Sequence, residues 1–147
     1  MPATLWLTLL LSLFPVVPAR ARARIEARRA TITAAVERAE REHGVPPGVL
    51  LVVGYGETHL GTDDGEGGNW GAPISRARRH TAGTPDHAAR SLARSYRVCG
   101  SWRRAISRFR CGLCSPRNPG HQRDVALRVR LVRGLYDAAS LPVPDGF

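Results

Sequence analysis

A continuous apolar run at residues 49–53 is the feature of this 147-residue chain that most constrains its fold. The segment Val49-Leu50-Leu51-Val52-Val53 has no polar side, so other parts of the chain must cover every face of it. Such a run suits a buried strand as well as a buried helix. Pro46 and Pro47 precede it, and a helix tolerates proline in its first turn because the missing N–H has no partner there. We therefore expect a helix at the centre of the core.

Four further segments have the apolar spacing of one helix face, with positions i, i+3, i+4 and i+7. They cover about residues 24–43, the stretch after Thr84-Pro85-Asp86, the stretch from Ser101 to Gly112, and about residues 122–138. No segment has a convincing strand pattern. The sequence therefore predicts an all-α domain of about five helices over residues 24–139, followed by a loose tail at residues 140–147.

The N-terminal segment has the layout of a secretory signal peptide. Residues 5–17 are mostly apolar but too few to span a bilayer as a stable helix, and small residues follow, ending in Ala21-Arg22-Ala23. We expect cleavage after Ala23, with Ala19 as the alternative site and an uncleaved anchor as the competing interpretation. A secreted or periplasmic monomer without a membrane span in its mature form is the expected product.

The charge balance is strongly basic. All 22 basic residues are arginine, and the formal net charge is +10. Such a surplus favours polyanionic partners such as cell wall, nucleic acid or anionic lipid, and composition does not choose among them. Arg76, Arg78 and Arg79 form a local cluster that suits either contact with anionic wall polymers or a solvated face.

Three cysteines occur, and pairs of them are expected to oxidise in an exported protein. We expect a disulfide between Cys99 and Cys114, with Cys99–Cys111 as the rival pairing. Cys111 and Cys114 also have the spacing of half a zinc site, but a second ligand pair is missing. The prediction is therefore a disulfide with no bound metal and no cofactor.

Glu57 is the residue best placed for chemistry, because it ends the apolar segment and precedes a loop rich in glycine and aspartate. A carboxyl at the edge of an apolar core loses hydration, which disfavours its charged form and suits a general acid that protonates a glycosidic oxygen. The alternative is that Glu57 merely caps or solvates the end of a helix. The loop also offers second carboxylates and sugar-binding groups, namely Asp63, Asp64, Glu66, Asn69 and Trp70.

Several motifs resemble the soluble lytic transglycosylase family of the lysozyme-like superfamily. Residues 44–58 are similar to the family's first motif, "yG(I/V)xPxLLxAIxxxES", with Glu57 at its catalytic glutamate and Thr58 at its serine. Residues 69–73 fall near the position of its "GLMQ" motif. Residues 101–112 are similar to "dWxxAlaaYNaG", with Phe109 and Arg110 in place of the tyrosine and asparagine, and residues 122–135 resemble its closing helix.

The resemblance implies a lysozyme-like helical fold with a loop-rich cleft and a peptidoglycan substrate. Glu57 would cleave the bond between N-acetylmuramic acid and N-acetylglucosamine, and the substrate contacts would be Thr58, Asn69, Trp70, Phe109 and Arg110. Phe109 lacks the family's hydroxyl and Arg110 adds a charge, which favours a weakly active or inactive wall-binding module as an alternative. A hydrolytic muramidase using Asp63, Asp64 or Glu66 is another. A basic nucleic-acid-binding domain is the third, and the signal peptide argues against it.

Overall fold

The computed structural model describes residues 1–14, 17–62, 70 and 84–147, and within these ranges the fold is all-α, with seven helices and no strand. The helices are α1 (Ala3–Leu13), α2 (Ala19–Ala27), α3 (Arg29–His43), α4 (Val49–Thr58), α5 (Pro85–Cys99), α6 (Trp102–Cys111) and α7 (Pro119–Ala138). None of these described helices combines the length and the hydropathy needed to cross a bilayer.

Helix α4 lies at the centre of the core, as the apolar run predicts. Every residue from Val49 to Gly54 is buried, and α4 packs against α1, α3, α5 and α7. Its first turn is closed by a side chain from α3, because Glu40 accepts hydrogen bonds from the backbone N–H groups of Gly48 (3.2 Å) and Leu50 (2.9 Å). These are donors that a helix leaves without an internal partner.

Helices α2 and α3 occupy the segment in which the sequence predicts one helix over residues 24–43. The helical geometry is interrupted at Arg28, and α3 ends at Gly44, whose φ of 67° is in the left-handed region. Local sequence does not mark the interruption, since Ala27-Arg28-Arg29 contains no helix breaker. The end of α2 and the start of α3 were therefore not predictable from a local breaker.

Helix α1 belongs to the core of the folded chain. It packs against α3, α4 and α7, and Trp6, Leu7, Leu10 and Leu11 are at most 3% exposed. The ring of Trp6 lies against Gly48, where a Cβ atom would come within 3.1 Å of it. The predicted signal peptide, residues 1–23, thus includes a helix that is packed in this structure, and its cleavage stays a prediction.

Helices α5 and α6 form a hairpin whose ends are fixed by capping side chains. The hydroxyl oxygen of Thr84 accepts a hydrogen bond from His87 N (3.3 Å), and that of Ser101 accepts one from Arg104 N (3.2 Å). A disulfide joins Cys99, at the end of α5, to Cys114, after α6, and leaves Cys111 as a free thiol.

Helix α7 packs its apolar stripe against α4 and α6. Asn118 caps it, with its side-chain oxygen accepting hydrogen bonds from Gly120 N and His121 N. The segment after α7, residues 140–147, is not helical but contacts the hairpin, because Gly146 O accepts a hydrogen bond of 2.8 Å from Arg103 N.

Candidate functional site

Glu57 lies in the last turn of α4, where the buried part of the helix reaches the surface. Its side chain is 18% exposed, so the protein covers it only in part. A negative charge at the C-terminal end of a helix is opposed by the helix dipole. A compensating positive group is therefore expected close to Glu57, and α7 supplies one.

Arg128 of α7 is that group. Its Nη2 lies 2.8 Å from Oε1 of Glu57, and the arginine side chain is only 4% exposed. The guanidinium lies against Gly56, where a Cβ atom would come within 3.3 Å of it. Glycine at position 56 thus gives the arginine room beside the helix backbone. The surroundings of Glu57 are ionic, whereas the sequence led us to expect apolar ones.

The ion pair continues away from Glu57 into a short chain of alternating charges. Arg128 Nη2 is 3.2 Å from Oδ2 of Asp124, and the same oxygen accepts a hydrogen bond of 2.7 Å from Nε of Arg110. Arg128 Nε and Nη1 are buried and have no hydrogen-bond partner among the described residues. The two arginines balance the two carboxylates, so the cluster holds Glu57 in place without net charge.

The turn that follows Glu57 has a strained backbone. His59, Leu60 and Gly61 have consecutive φ values of 47°, 61° and 76°, and the first two are not glycine. Thr58 closes the turn, because its Oγ1 accepts a hydrogen bond of 2.9 Å from Gly61 N. Left-handed conformations of this kind cost about 1–3 kcal/mol each for non-glycine residues and cluster at functional sites.

The other predicted substrate contacts are placed differently. Trp70 is 1% exposed with its ring against Gly54, and Phe109 is 6% exposed in the core, so neither ring offers an open face in this conformation. Arg110 is exposed and engaged by Asp124. The remaining candidates lie outside the described residues: Asp63, Asp64, Glu66, Asn69, Arg76, Arg78 and Arg79.

Glu40 is a second notable carboxyl, and it was not among the site residues predicted from the sequence. Burial raises the pKa of Glu40 to about 8, although the backbone hydrogen bonds from Leu50 and Gly48 oppose the shift. A cavity of about 500 Å³ next to it is lined by α1 and the end of α3. Glu40 contacts the opposite end of α4 from Glu57, roughly 10 Å away along the helix axis. The two carboxyls therefore do not share a site.

One group of possible metal ligands occurs among the described residues. Glu42, His43 and Asp86 bring their ligand atoms within 4.8 Å of one another. Asp86 is already paired on both oxygens, with His43 Nε2 at 2.7 Å and Arg90 Nη2 at 3.0 Å. These contacts, the hydrogen bond from His43 first, lower the pKa of Asp86. The arginine in this group makes an ion-paired link between α3 and α5 the better interpretation.

Arg128 and Glu40 share a sequence signal that would have revealed them. Arg128 lies three residues after Val125, inside the apolar stripe of α7, and Glu40 lies four residues after Val36 on the buried face of α3. A charged residue within an apolar stripe is buried with its helix face and therefore needs a polar partner. The spacing alone indicates both positions.

Comparison with protein-family models, with curated proteins and with solved structures gives no match to this chain.

Proposed function

We propose that this protein is a peptidoglycan lytic transglycosylase of lysozyme-like fold, with Glu57 as its general acid and base. The observation that carries the proposal is the position of Glu57, a partly exposed carboxylate at the end of the buried helix α4. The strained turn after it adds support, because backbone strain is concentrated at functional sites. Export of the protein to the cell envelope is part of the same proposal.

The proposed reaction needs one carboxyl group. Glu57 donates a proton to the glycosidic oxygen between N-acetylmuramic acid and N-acetylglucosamine as the bond to the muramyl C1 breaks. The muramyl 6-hydroxyl then attacks C1 and returns a proton to Glu57, which closes a 1,6-anhydro ring and restores the acid. Arg128 contributes by fixing the orientation of the carboxylate at a distance of 2.8 Å.

The two proton transfers require Glu57 to exchange its ion pair for a proton and back. Arg128 is not left without a partner in this exchange, because its Nη2 also lies 3.2 Å from Asp124. The second carboxylate keeps the buried guanidinium paired while Glu57 is protonated, which limits the cost of leaving a buried charge alone. The charge chain is therefore compatible with acid–base cycling at Glu57.

The decisive experiment is a digest of purified peptidoglycan, with the products identified by mass spectrometry. Wild-type protein is expected to release muropeptides that end in 1,6-anhydro-muramic acid, and Glu57→Gln is expected to release none. Glu42→Gln is the matched control, because it makes the same carboxyl-to-amide change at an exposed position of α3. Activity that survives in Glu57→Gln would refute the assigned role.

The mass of the products separates the lyase from the muramidase. Products heavier by one water would mean hydrolysis, and a base that positions water would then be sought at Asp63, Asp64 and Glu66. An absence of products from wild type would refute the enzyme for this substrate.

A wall-binding module without activity is the second candidate. It is favoured by Phe109 and Arg110, which replace the tyrosine and asparagine of the motif: Phe109 is buried and has no hydroxyl, and Arg110 is paired with Asp124, so neither assists Glu57 in this conformation. Sedimentation with insoluble peptidoglycan tests it. Equal sedimentation of wild type and Glu57→Gln, with no products from either, would establish binding without cleavage.

A further inference from the structure

The α5–α6 hairpin and its flanks form a block of uninterrupted positive charge. From His87 to Arg123 inclusive, the chain has nine arginines and no aspartate or glutamate. Helix α7 supplies one acidic partner to this block, Asp124, which forms an ion pair with Arg110. Among the described residues, no carboxylate lies within 4.0 Å of the guanidinium groups of Arg97, Arg103 or Arg117. Arg90 and Arg110 are paired with Asp86 and Asp124, whereas the charges of Arg97, Arg103 and Arg117 are available to a partner.

The disulfide gathers part of this block at one end of the hairpin. Cys99 and Cys114 have Cα atoms 5.6 Å apart, which places the residues beside each cysteine close together. Arg104 Nη1 donates a hydrogen bond of 3.2 Å to Cys99 O, so the first turn of α6 lies at the same place. We call this region the disulfide end and define it by Arg97, Val98, Arg103, Arg104, Leu113 and Arg117.

Two apolar side chains of the disulfide end face the solvent. Val98 is 61% exposed and Leu113 is 43% exposed, and each is the immediate neighbour of a bonded cysteine. The four arginines of the same region, Arg97, Arg103, Arg104 and Arg117, are also exposed. An acidic residue, Asp145, is also held nearby by the hydrogen bond from Arg103 N to Gly146 O, and it offsets one of the four arginine charges. The disulfide end thus combines positive charge with exposed apolar side chains, whose removal from water is favourable.

This combination discriminates between partners. A soluble polyanion can pair with the arginines, but it offers no apolar environment in which Val98 and Leu113 could be buried. A bilayer with anionic headgroups satisfies both, because guanidinium groups bind phosphates and small apolar side chains enter the boundary below the headgroups. We propose that the disulfide end is a binding surface for anionic phospholipid bilayers. The proposal does not depend on the chemistry of Glu57.

Cosedimentation of the full chain with vesicles tests the proposal at low salt. The vesicles contain phosphatidylcholine, either pure or with about one-third phosphatidylglycerol as the anionic lipid. Arg97→Ala/Arg117→Ala is expected to bind the anionic vesicles roughly thirtyfold more weakly than wild type, since each arginine near such a surface contributes about 1 kcal/mol. The control Arg38→Ala/Arg41→Ala removes the same charge from the exposed surface of α3 and is expected to change binding little.

The apolar contribution has its own variant, Val98→Ser/Leu113→Ser. It is expected to bind the anionic vesicles roughly tenfold more weakly, because partial burial of the two side chains is lost, and to bind soluble polyphosphate as wild type does. Circular dichroism checks that every variant is folded.

Three outcomes would overturn the proposal. Equal weakening by the two double-arginine variants would mean that net charge alone acts. Vesicle binding of the serine variant equal to wild type would indicate a site for soluble polyanions. Equal binding of wild type to both kinds of vesicle would assign the binding to apolar surface such as that of α1.

Discussion

Replacement of Glu40 by glutamine is expected to change how the stability of the protein depends on pH. The pKa of Glu40 is raised from 4.5 to about 8 in the folded protein, chiefly because the carboxyl is buried. Between these two values the folded protein keeps the proton while the unfolded chain releases it. The contribution of Glu40 to stability is therefore complete below about pH 4.5 and is lost as the pH rises towards 8.

The size of the effect follows from the same shift. Each pH unit in this window lowers the free energy of unfolding by about 1.4 kcal/mol, or roughly 3 kcal/mol between about pH 5.5 and about pH 7.5. Glutamine does not titrate, but its single carbonyl oxygen accepts only one of the hydrogen bonds from Gly48 N and Leu50 N. The donor left without a partner costs about 1–2 kcal/mol.

Wild type is therefore expected to be the more stable protein at about pH 4.5, and Glu40→Gln the more stable at about pH 7.5, with a crossing between them. Urea unfolding, followed by circular dichroism across this range, measures the difference. Glu42→Gln on the exposed side of α3 is the control and is expected to give a constant difference from wild type.

A constant difference for Glu40→Gln as well would refute the reasoning. A difference that grows in favour of wild type as the pH rises would mean that the start of α4 stabilises the charged carboxylate more than burial destabilises it.

Three further substitutions test the packing and the site by urea unfolding. Gly54→Ala is expected to cost about 3 kcal/mol, because the new Cβ overlaps the six-membered ring of Trp70 and displaces it from the core; an unchanged tryptophan fluorescence maximum would contradict this. Arg128→Ala is expected to cost about 2 kcal/mol, because Glu57 loses its charged hydrogen-bond partner while Asp124 keeps Arg110, whereas exposed Arg130→Ala should cost almost nothing. Ser101→Ala is expected to cost about 1 kcal/mol through the lost cap of α6.

The helices were predictable wherever apolar spacing and a cap coincide. Helix α6 begins after Ser101 and ends before Gly112, as its sequence predicts. Helix α7 begins at Pro119, three residues before the predicted start, although Asn118 and Pro119 are the usual cap and first-turn pair. The interruption at Arg28 was not predictable, because no glycine or proline marks it.

The position of Glu57 was predictable, and its surroundings were not. The end of an apolar run indicates where a buried helix reaches the surface, which is the place at which Glu57 lies. Its partner comes from α7, far along the chain, and no local pattern pairs the two residues. For Trp70, the local sequence did not indicate even the position of the side chain. An aromatic residue in a polar stretch suggests a sugar contact, yet Trp70 lies against Gly54 in the core.

The free thiol has a consequence for the unfolded chain. Once the protein unfolds, Cys111 can attack the Cys99–Cys114 bond and exchange partners with it. The native bond closes a loop of 15 residues. A bond from Cys99 to Cys111 would close one three residues shorter, and the two differ by only about 0.2 kcal/mol in closure free energy. Loop length therefore does not select the native isomer; the packed hairpin does. Variants that loosen α5 against α6 should yield mixed disulfide isomers on refolding, which replacing Cys111 with serine would prevent.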